Sequence, residues 1–230
     1  MGSLAFDLYN KTKSKYSFLP ITHGGYFHLR EVKQISKHSK KIIKQYDILR
    51  NNIDKILNKS NKNIIIIGGV TSLYIYNKRI ENRALHWNGQ FVHKDTLKYD
   101  TKTIERAFIN LLKSLSANNE IILLYPIPEM GVNIQKKKFE NMIRIFNYKY
   151  SDYLKQNNDV MNFFDTINLP NVHKVYPHKA FCNETTGLCN THDKDNFFFF
   201  DGYHPSLQGA KMINNLIIKK INLLEKNNER

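Results

Sequence analysis

Residues 197–210 read FFFFDGYHPSLQGA. The aromatic run predicts a strand over residues 197–200 that leads directly into Asp201, and the residues after His204 give a start signal for a helix. On such a strand-to-helix turn, the Asp201 carboxylate can accept the Nδ1 proton of His204, which leaves Nε2 as a base facing the sheet edge. Such a base can activate a serine hydroxyl, which is too weakly acidic to attack a carbonyl unaided. The other interpretation, in which Asp201 caps a turn and His204 is an ordinary surface residue, stays open.

The rest of the chain alternates between strand-like and helix-like patterns. Apolar runs at residues 64–67 and 121–125 are each followed by Gly or Pro, as expected for buried parallel strands that end in loops. Weaker strand candidates cover residues 17–21 and 172–176. Apolar residues recur at helical spacing in four segments, residues 31–57, 103–115, 135–155 and 206–224.

This alternation predicts the fold class. Strands that alternate with helices favour right-handed crossovers and an α/β fold, a three-layer α/β/α sandwich. Any ligand is then expected at the carboxyl ends of the strands. Because no linker rich in Pro, Gly or Ser divides the chain, we expect one domain over residues 1–230 with a polar, frayed tail from about residue 225.

The net charge and the lengths of the apolar runs argue against some functions. The 230 residues carry a formal net charge of +15, but the lysines are scattered, and no nucleic-acid-binding module accompanies them. We therefore expect no nucleic-acid partner.

No apolar stretch approaches the roughly 20 residues that cross a bilayer, and the first residues lack the apolar run of a secretory signal. The sequence predicts no membrane span.

The two cysteines, Cys182 and Cys189, lie close together in the segment CNETTGLC. A disulfide that closes this short loop would suit an oxidising compartment, whereas the other interpretation is two reduced thiols. The sequence favours the bridge. Neither His178 nor His192 falls into a compact Cys/His ligand spacing, so no metal site is expected.

Several segments together resemble one branch of a known family. The Asp-x-x-His block resembles the last block of the SGNH (GDSL-type) hydrolases, whose members use a Ser-His-Asp triad. Four further segments are similar to the SGNH domain attached to the acyltransferase-three membrane proteins that O-acetylate bacterial surface polysaccharides: ITHGGYFHL (21–29), YPIPEMGVN (125–133), LPNVHKVYP (169–177) and CNETTGLC (182–189). The resemblance implies a flavodoxin-like, mainly parallel sheet.

The resemblance also implies roles for particular residues. Gly2-Ser3-Leu4 resembles the Gly-Asp-Ser-Leu motif without its aspartate, so Ser3 is the candidate nucleophile, although Met-Gly-Ser is also a common remnant of expression vectors. The strand that precedes this motif is absent, so the expected sheet lacks its first strand. The backbone N–H of Gly25 and the loop at Thr71 would form the oxyanion hole. Glu129, in a loop after a core strand, is either a substrate-binding group or a solvated carboxylate.

The function that follows from the resemblance is acyl transfer on carbohydrate esters without a cofactor. Water as the acceptor would make the protein an esterase, and a sugar hydroxyl would make it an O-acyltransferase. The alternative is an accessory domain that binds glycan for a membrane acyltransferase partner without performing chemistry. If the chain is part of such a membrane protein, it belongs in the periplasm or elsewhere outside the cytoplasmic membrane.

Overall fold

A computed structural model describes residues 2–21, 27–36, 38–59, 62–77, 89–131 and 148–228. Six helices and eight strands lie in these residues, together with a 3-10 helix, Pro177–Ala180. The helices are α1 Gly2–Thr12, α2 Lys44–Leu57, α3 Thr71–Tyr76, α4 Thr101–Ser116, α5 Tyr150–Thr166 and α6 Leu207–Asn228. The strands are β1 Val32–Ser36, β2 Ile64–Ile67, β3 Gly89–His93, β4 Glu120–Leu124, β5 Tyr148–Lys149, β6 Val172–Val175, β7 Cys182–Asn183 and β8 Leu188–Cys189.

A parallel sheet in the order β2-β4-β6 forms the centre of the α/β pattern. Strands β2 and β4 run parallel, with Ile64 opposite Glu120. Along β4 and β6 the hydrogen bonds advance in the same direction, from Ile121 N–H to the Asn171 carbonyl (2.8 Å) and from Tyr125 N–H to the Val175 carbonyl (2.9 Å). The apolar side chains of β4 are buried, as expected for a strand covered on both faces. The strands predicted at residues 64–67, 121–125 and 172–176 are confirmed, the last two within a residue at one or both ends.

Helices α4 and α5 lie between successive strands of this sheet along the chain. The predicted segments at residues 103–115 and 206–224 are confirmed as α4 and α6. Asp100 begins α4, because its carboxylate accepts the backbone N–H of Thr103 at 3.0 Å and satisfies a donor that has no partner within the helix. Alternating helices and parallel strands form a mixed α/β fold, consistent with the predicted α/β/α sandwich.

The chain divides into two compact units. The expectation that residues 1–230 form one domain stays a prediction. One unit comprises Met1–Thr22, Leu124–Asn157 and Val175–Arg230. Within it, α1 packs along α6, with Leu4 and Leu8 buried. The disulfide predicted between Cys182 and Cys189 is present, and it joins the antiparallel strands β7 and β8.

The other unit comprises His23–Leu123 and Asn158–Lys174. Its core contains an aromatic cluster in which the ring of Phe108 is stacked on Phe27 at 5.8 Å and on Phe164 at 5.3 Å. Phe27 is also stacked on Tyr74 at 5.1 Å. Such rings bury large apolar areas, so this cluster contributes to the stability of the unit.

Some sequence predictions need correction. Residues 31–57 are not one helix, because residues 32–36 form β1, which pairs antiparallel with β3, and only Lys44–Leu57 is helical. Val32 and Ile35 are three residues apart, a spacing that also occurs in helices, and the pairing that makes them a strand is long-range. Residues 17–21 have no regular structure.

The predicted strand at residues 197–200 is also wrong. This run makes only isolated bridges, from Phe197 to His192 and from Phe199 to Pro205, because its backbone groups bond to nearby loop residues rather than to a strand of the central sheet. Of the helix predicted at residues 135–155, residues 135–147 lie outside the described residues, and Tyr148–Lys149 form β5 rather than a helix. Helix α5 begins at Tyr150 and continues to Thr166.

His178, in the 3-10 helix, is buried and held in its neutral form. The Tyr153 hydroxyl donates its single proton to the Pro126 carbonyl at 3.0 Å, so its oxygen accepts the Nδ1–H of His178 at 3.1 Å. Burial, with a smaller effect from the charge of Lys179, lowers the pKa of His178 from 6.5 to about 4. The folded protein therefore disfavours the imidazolium.

This lowered pKa predicts a loss of stability in mild acid. Between pH 6.5 and about 4 the unfolded chain takes up a proton at His178 that the folded chain does not, so the free energy of unfolding falls as the pH is lowered through this window. We expect His178 to account for on the order of 3 kcal/mol of that fall. Urea unfolding of the wild type and His178→Gln at pH 7.5 and pH 4.5 measures it. Equal losses for the two proteins would contradict the assignment.

Candidate active site

A tight backbone turn presents Asp201 and His204. Phe199 and Pro205 face each other as an antiparallel bridge, flanked by hydrogen bonds from Phe200 N–H to the His204 carbonyl (2.8 Å) and from Ser206 N–H to the Phe198 carbonyl (2.9 Å). Phe199 is fully buried and anchors the turn. The residues between the two sides of the bridge are therefore fixed in position by the backbone.

The Asp201 carboxylate organises this turn through both oxygens. Oδ1 accepts the backbone N–H groups of Tyr203 (2.7 Å) and His204 (2.8 Å), and Oδ2 lies 2.8 Å from His204 Nδ1. An ionised carboxylate only accepts hydrogen bonds, so Nδ1 of the imidazole carries a proton and Nε2 is the basic nitrogen of the neutral ring. The structure thus brings together the two residues that the sequence paired.

The electrostatics of the turn favour the ionised carboxylate. Partial burial raises the pKa of Asp201, but the hydrogen bonds from the His204 side chain and from the backbone N–H groups of His204 and Tyr203 outweigh it, and the net pKa is lowered. The side chain of His204 is 63% exposed, whereas that of Asp201 is 25% exposed. The imidazole is therefore oriented by a shielded anion while most of its own surface stays open to a ligand.

Ser3 lies next to this turn. It occupies the first turn of α1, and its hydroxyl donates a hydrogen bond to the Pro205 carbonyl at 2.9 Å. Pro205 directly follows His204, so the hydroxyl and the imidazole belong to one small region of the same compact unit. Because a serine hydroxyl has one proton, its donation to Pro205 means that it does not donate to His204 in this conformation.

An interaction that the sequence analysis missed fixes α1 in place. Asn214 of α6 is fully buried, and its Nδ2 donates to the Leu4 carbonyl and to Asp7 Oδ2, both at 2.9 Å. Asp7 also pairs with Lys11 at 3.2 Å. These bonds fix the helix that carries Ser3. The available signal was an asparagine on the apolar stripe of α6, four residues after Ala210 and three before Ile217.

Ser206 caps α6 and joins it to the turn. Its hydroxyl donates to the Phe197 carbonyl at 2.5 Å and accepts the backbone N–H of Gly209 at 3.1 Å, the geometry of a helix N-cap. We expect Ser206→Ala to lower the free energy of unfolding by about 1 to 2 kcal/mol, because the variant loses both bonds. Urea denaturation measures the change, with Ser14→Ala on the exposed surface as the control. A loss no larger than that of the control would contradict the capping role.

Glu129 is not the solvated loop carboxylate that the sequence allowed. It is only 5% exposed, and its Oε2 accepts a hydrogen bond from Gln156 Nε2 at 3.0 Å. The next residue, Met130, donates its backbone N–H to the Gly202 carbonyl at 2.7 Å. The loop that contains Glu129 is therefore bonded directly to the turn between Asp201 and His204, although a role of Glu129 in substrate binding stays a prediction.

Thr71, one of the two predicted oxyanion-hole residues, belongs to the other compact unit. Thr71 is the first residue of α3 and is fully buried, and its Oγ1 has no hydrogen-bond partner in the part of the chain that the structure describes. Gly25 lies outside the described residues. Both assignments stay predictions.

Comparisons with known proteins show which family the chain belongs to. Residues 3–219 match the model of the family described as the SGNH domain (fused to AT3 domains). Among solved structures, the chain is similar to the periplasmic domain of a lipopolysaccharide acetyltransferase from Salmonella ser. Paratyphi A, with a TM-score of 0.53 and 16% identity over 96% of this chain and 78% of that one. No curated protein matches the chain. Within the described residues, no helix is long and apolar enough to span a bilayer.

Proposed function

Since this chain belongs to the family of SGNH domains fused to AT3 domains, we propose that it transfers acyl groups on carbohydrate esters through a triad of Ser3, His204 and Asp201. The observation that carries the proposal is the 2.8 Å contact between Asp201 Oδ2 and His204 Nδ1, with the Ser3 hydroxyl bonded to the neighbouring peptide. The geometry supports an oriented base beside a nucleophile, which is the arrangement that serine acyl transfer requires.

The mechanism follows from these three side chains. The Ser3 hydroxyl rotates away from the Pro205 carbonyl and attacks the acyl carbon while His204 Nε2 takes its proton. Asp201 holds the imidazole in the tautomer that allows this and stabilises the imidazolium that forms. The imidazolium then protonates the departing alkoxide, and an acyl-serine remains. A second hydroxyl, from water or a sugar, then attacks the acyl carbon while His204 Nε2 takes its proton, and the imidazolium returns that proton to the Ser3 oxygen as the bond between Ser3 and the acyl group breaks.

The tetrahedral intermediate needs donors for its oxygen anion. The N–H of Ser3 lies in the first turn of α1, where backbone N–H groups have no acceptor within the helix. It can therefore donate to the anion that forms on the acyl group of Ser3, and the positive end of the helix dipole adds to this stabilisation. The contributions of Gly25 and Thr71 to the oxyanion hole stay predictions from the sequence.

The membrane AT3 domain is the partner that we propose for this chain. The family is one of domains fused to AT3 domains, and the similar solved structure is described as the periplasmic domain of an acetyltransferase. An extracytoplasmic position agrees with the bridge between Cys182 and Cys189, because disulfides persist in oxidising compartments. In this arrangement the membrane domain supplies the acyl group, and Ser3 carries it to a carbohydrate hydroxyl.

An aliphatic fluorophosphonate tests the proposed nucleophile directly. We expect one label per chain, located by peptide mass spectrometry on the segment that contains Ser3, together with slow hydrolysis of an acetyl ester. Ser3→Ala should abolish both, whereas Ser14→Ala, which removes an exposed serine just after the same helix, should change neither. Labelling of the wild type at another residue, or equal hydrolysis by Ser3→Ala, would refute the triad.

One observation favours the accessory-domain alternative. The Ser3 hydroxyl donates to Pro205 rather than to His204, which is the arrangement expected if this serine performs no chemistry. A glycan-binding domain of this kind would remain unlabelled by the fluorophosphonate and would bind sugar equally well as the wild type and as Ser3→Ala. The labelling experiment therefore separates the two functions.

A further inference from the structure

Phe200 is an exposed aromatic residue at the start of the turn that contains the candidate base. It is 64% exposed, the largest value for any aromatic residue that the structure describes, whereas its neighbours Phe198 and Phe199 are buried against Phe181. A single exposed apolar side chain is common on protein surfaces and indicates nothing by itself. The position of this one relative to His204 is what carries the inference.

The backbone of the turn pairs Phe200 with His204. Phe199 and Pro205 form an antiparallel bridge and are both buried. Phe200 and His204 are the next pair toward the turn, and the side chains of directly opposite residues in an antiparallel pair project to the same side. The exposure of both side chains and the 2.8 Å hydrogen bond from Phe200 N–H to the His204 carbonyl agree with this arrangement. Leu207, at the start of α6 and 47% exposed, adds a second apolar group close along the chain.

We propose that Phe200 is a sugar-stacking platform, on which the apolar face of a pyranose ring lies while its ester or hydroxyl group is presented to His204. This inference rests on the proposed function, because it assigns the substrate of the same site. The C–H groups on one face of a pyranose pack against an aromatic ring while the equatorial hydroxyls stay in water, so an open ring suits a sugar. A long acyl chain would instead need an enclosed apolar pocket, and a ring that is 64% exposed does not provide one.

Steady-state kinetics on two acetyl esters test the platform. One ester is an O-acetylated methyl pyranoside, and the other is vinyl acetate, which has no ring to stack. We expect Phe200→Leu, which keeps an apolar side chain without a ring, to lower kcat/KM for the pyranoside about tenfold, mainly through KM, and to leave vinyl acetate unchanged. Phe200→Tyr should retain the activity on both esters. Tyr9→Leu, which alters another exposed ring on the same unit, is the matched control.

The outcomes separate the platform from the proposed function. An equal loss on both esters would show that Phe200 only positions His204, and no loss on either would show that its ring has no role; both results overturn the platform. A loss of binding to phosphatidylglycerol vesicles, with sugar kinetics intact, would assign the ring to a membrane surface and also overturn it.

If the fluorophosphonate leaves the wild type unlabelled, the proposed function fails and binding alone tests the platform. In saturation-transfer difference NMR, methyl glucopyranoside should receive saturation at its ring C–H groups from the wild type and from Ser3→Ala, but not from Phe200→Leu. Transfer that persists in Phe200→Leu would overturn the inference, whereas its loss in that variant alone would support it without any catalysis.

Discussion

Replacement of His204 by alanine is expected to lower kcat/KM for a small acetyl ester by about 10³-fold or more, because the reaction loses the base that we propose for the activation of Ser3. Asp201→Asn should cause a loss of similar size. The asparagine amide would donate to the imidazole, so Nδ1 would no longer carry the proton and Nε2 would no longer be the basic nitrogen. The measurement is initial-rate hydrolysis over a range of ester concentrations. His38→Ala, on an exposed turn, serves as the control for removal of an imidazole.

Non-additivity provides the stricter test of a triad. If Ser3 and His204 act as one unit, the double variant should be no slower than the slower single variant, because each change alone already disables the same step. Losses that multiply would mean that the two residues contribute independently. Full activity of His204→Ala would refute the proposed base, even if Ser3 were labelled.

The parts of the fold that the sequence predicted depend on local pattern. The run of isoleucines in β2, the apolar stripe of α6 and the spacing of Asp201 and His204 can each be recognised in fewer than 20 residues. Asp201 and His204 lie on one short turn, so their contact needs no knowledge of distant residues. For that reason this pair was the most predictable part of the site.

What the sequence did not predict depends on contacts between distant segments. Strand β1 is a strand because it pairs with β3, which follows it by more than 50 residues. Glu129 looks solvated in the sequence, but it is buried and its carboxylate accepts a hydrogen bond from Gln156, 27 residues away along the chain. The bonds from Asn214 to α1 span 207 and 210 residues of chain. No local pattern encodes such partners, and an asparagine on an apolar stripe is only a weak indication that one exists.

Helix α6 approaches the backbone just before the turn that contains Asp201 and His204 more closely at Gly209 than any side chain would allow. A Cβ atom added there would lie 2.0 Å from the Phe198 carbonyl oxygen and 2.9 Å from its carbon. Neither atom can move easily, because the Phe198 carbonyl accepts Ser206 N–H and the Phe198 N–H donates to the Thr191 carbonyl. The helix and the turn must therefore separate if a side chain is introduced at this position.

Gly209→Ala is thus expected to lower the free energy of unfolding by about 3 kcal/mol or more, since the clash involves backbone on both sides. Urea denaturation of the full chain measures the loss. Gly2→Ala is the matched control: a Cβ added at Gly2 meets no described atom within 4 Å, and alanine in a helix is about 0.5 to 1 kcal/mol better than glycine, so this variant should lose nothing. A stable Gly209→Ala protein would mean that the helix can withdraw from the turn without cost. If that protein also retained the full rate on vinyl acetate, the close approach of α6 would not be what holds His204 beside Ser3.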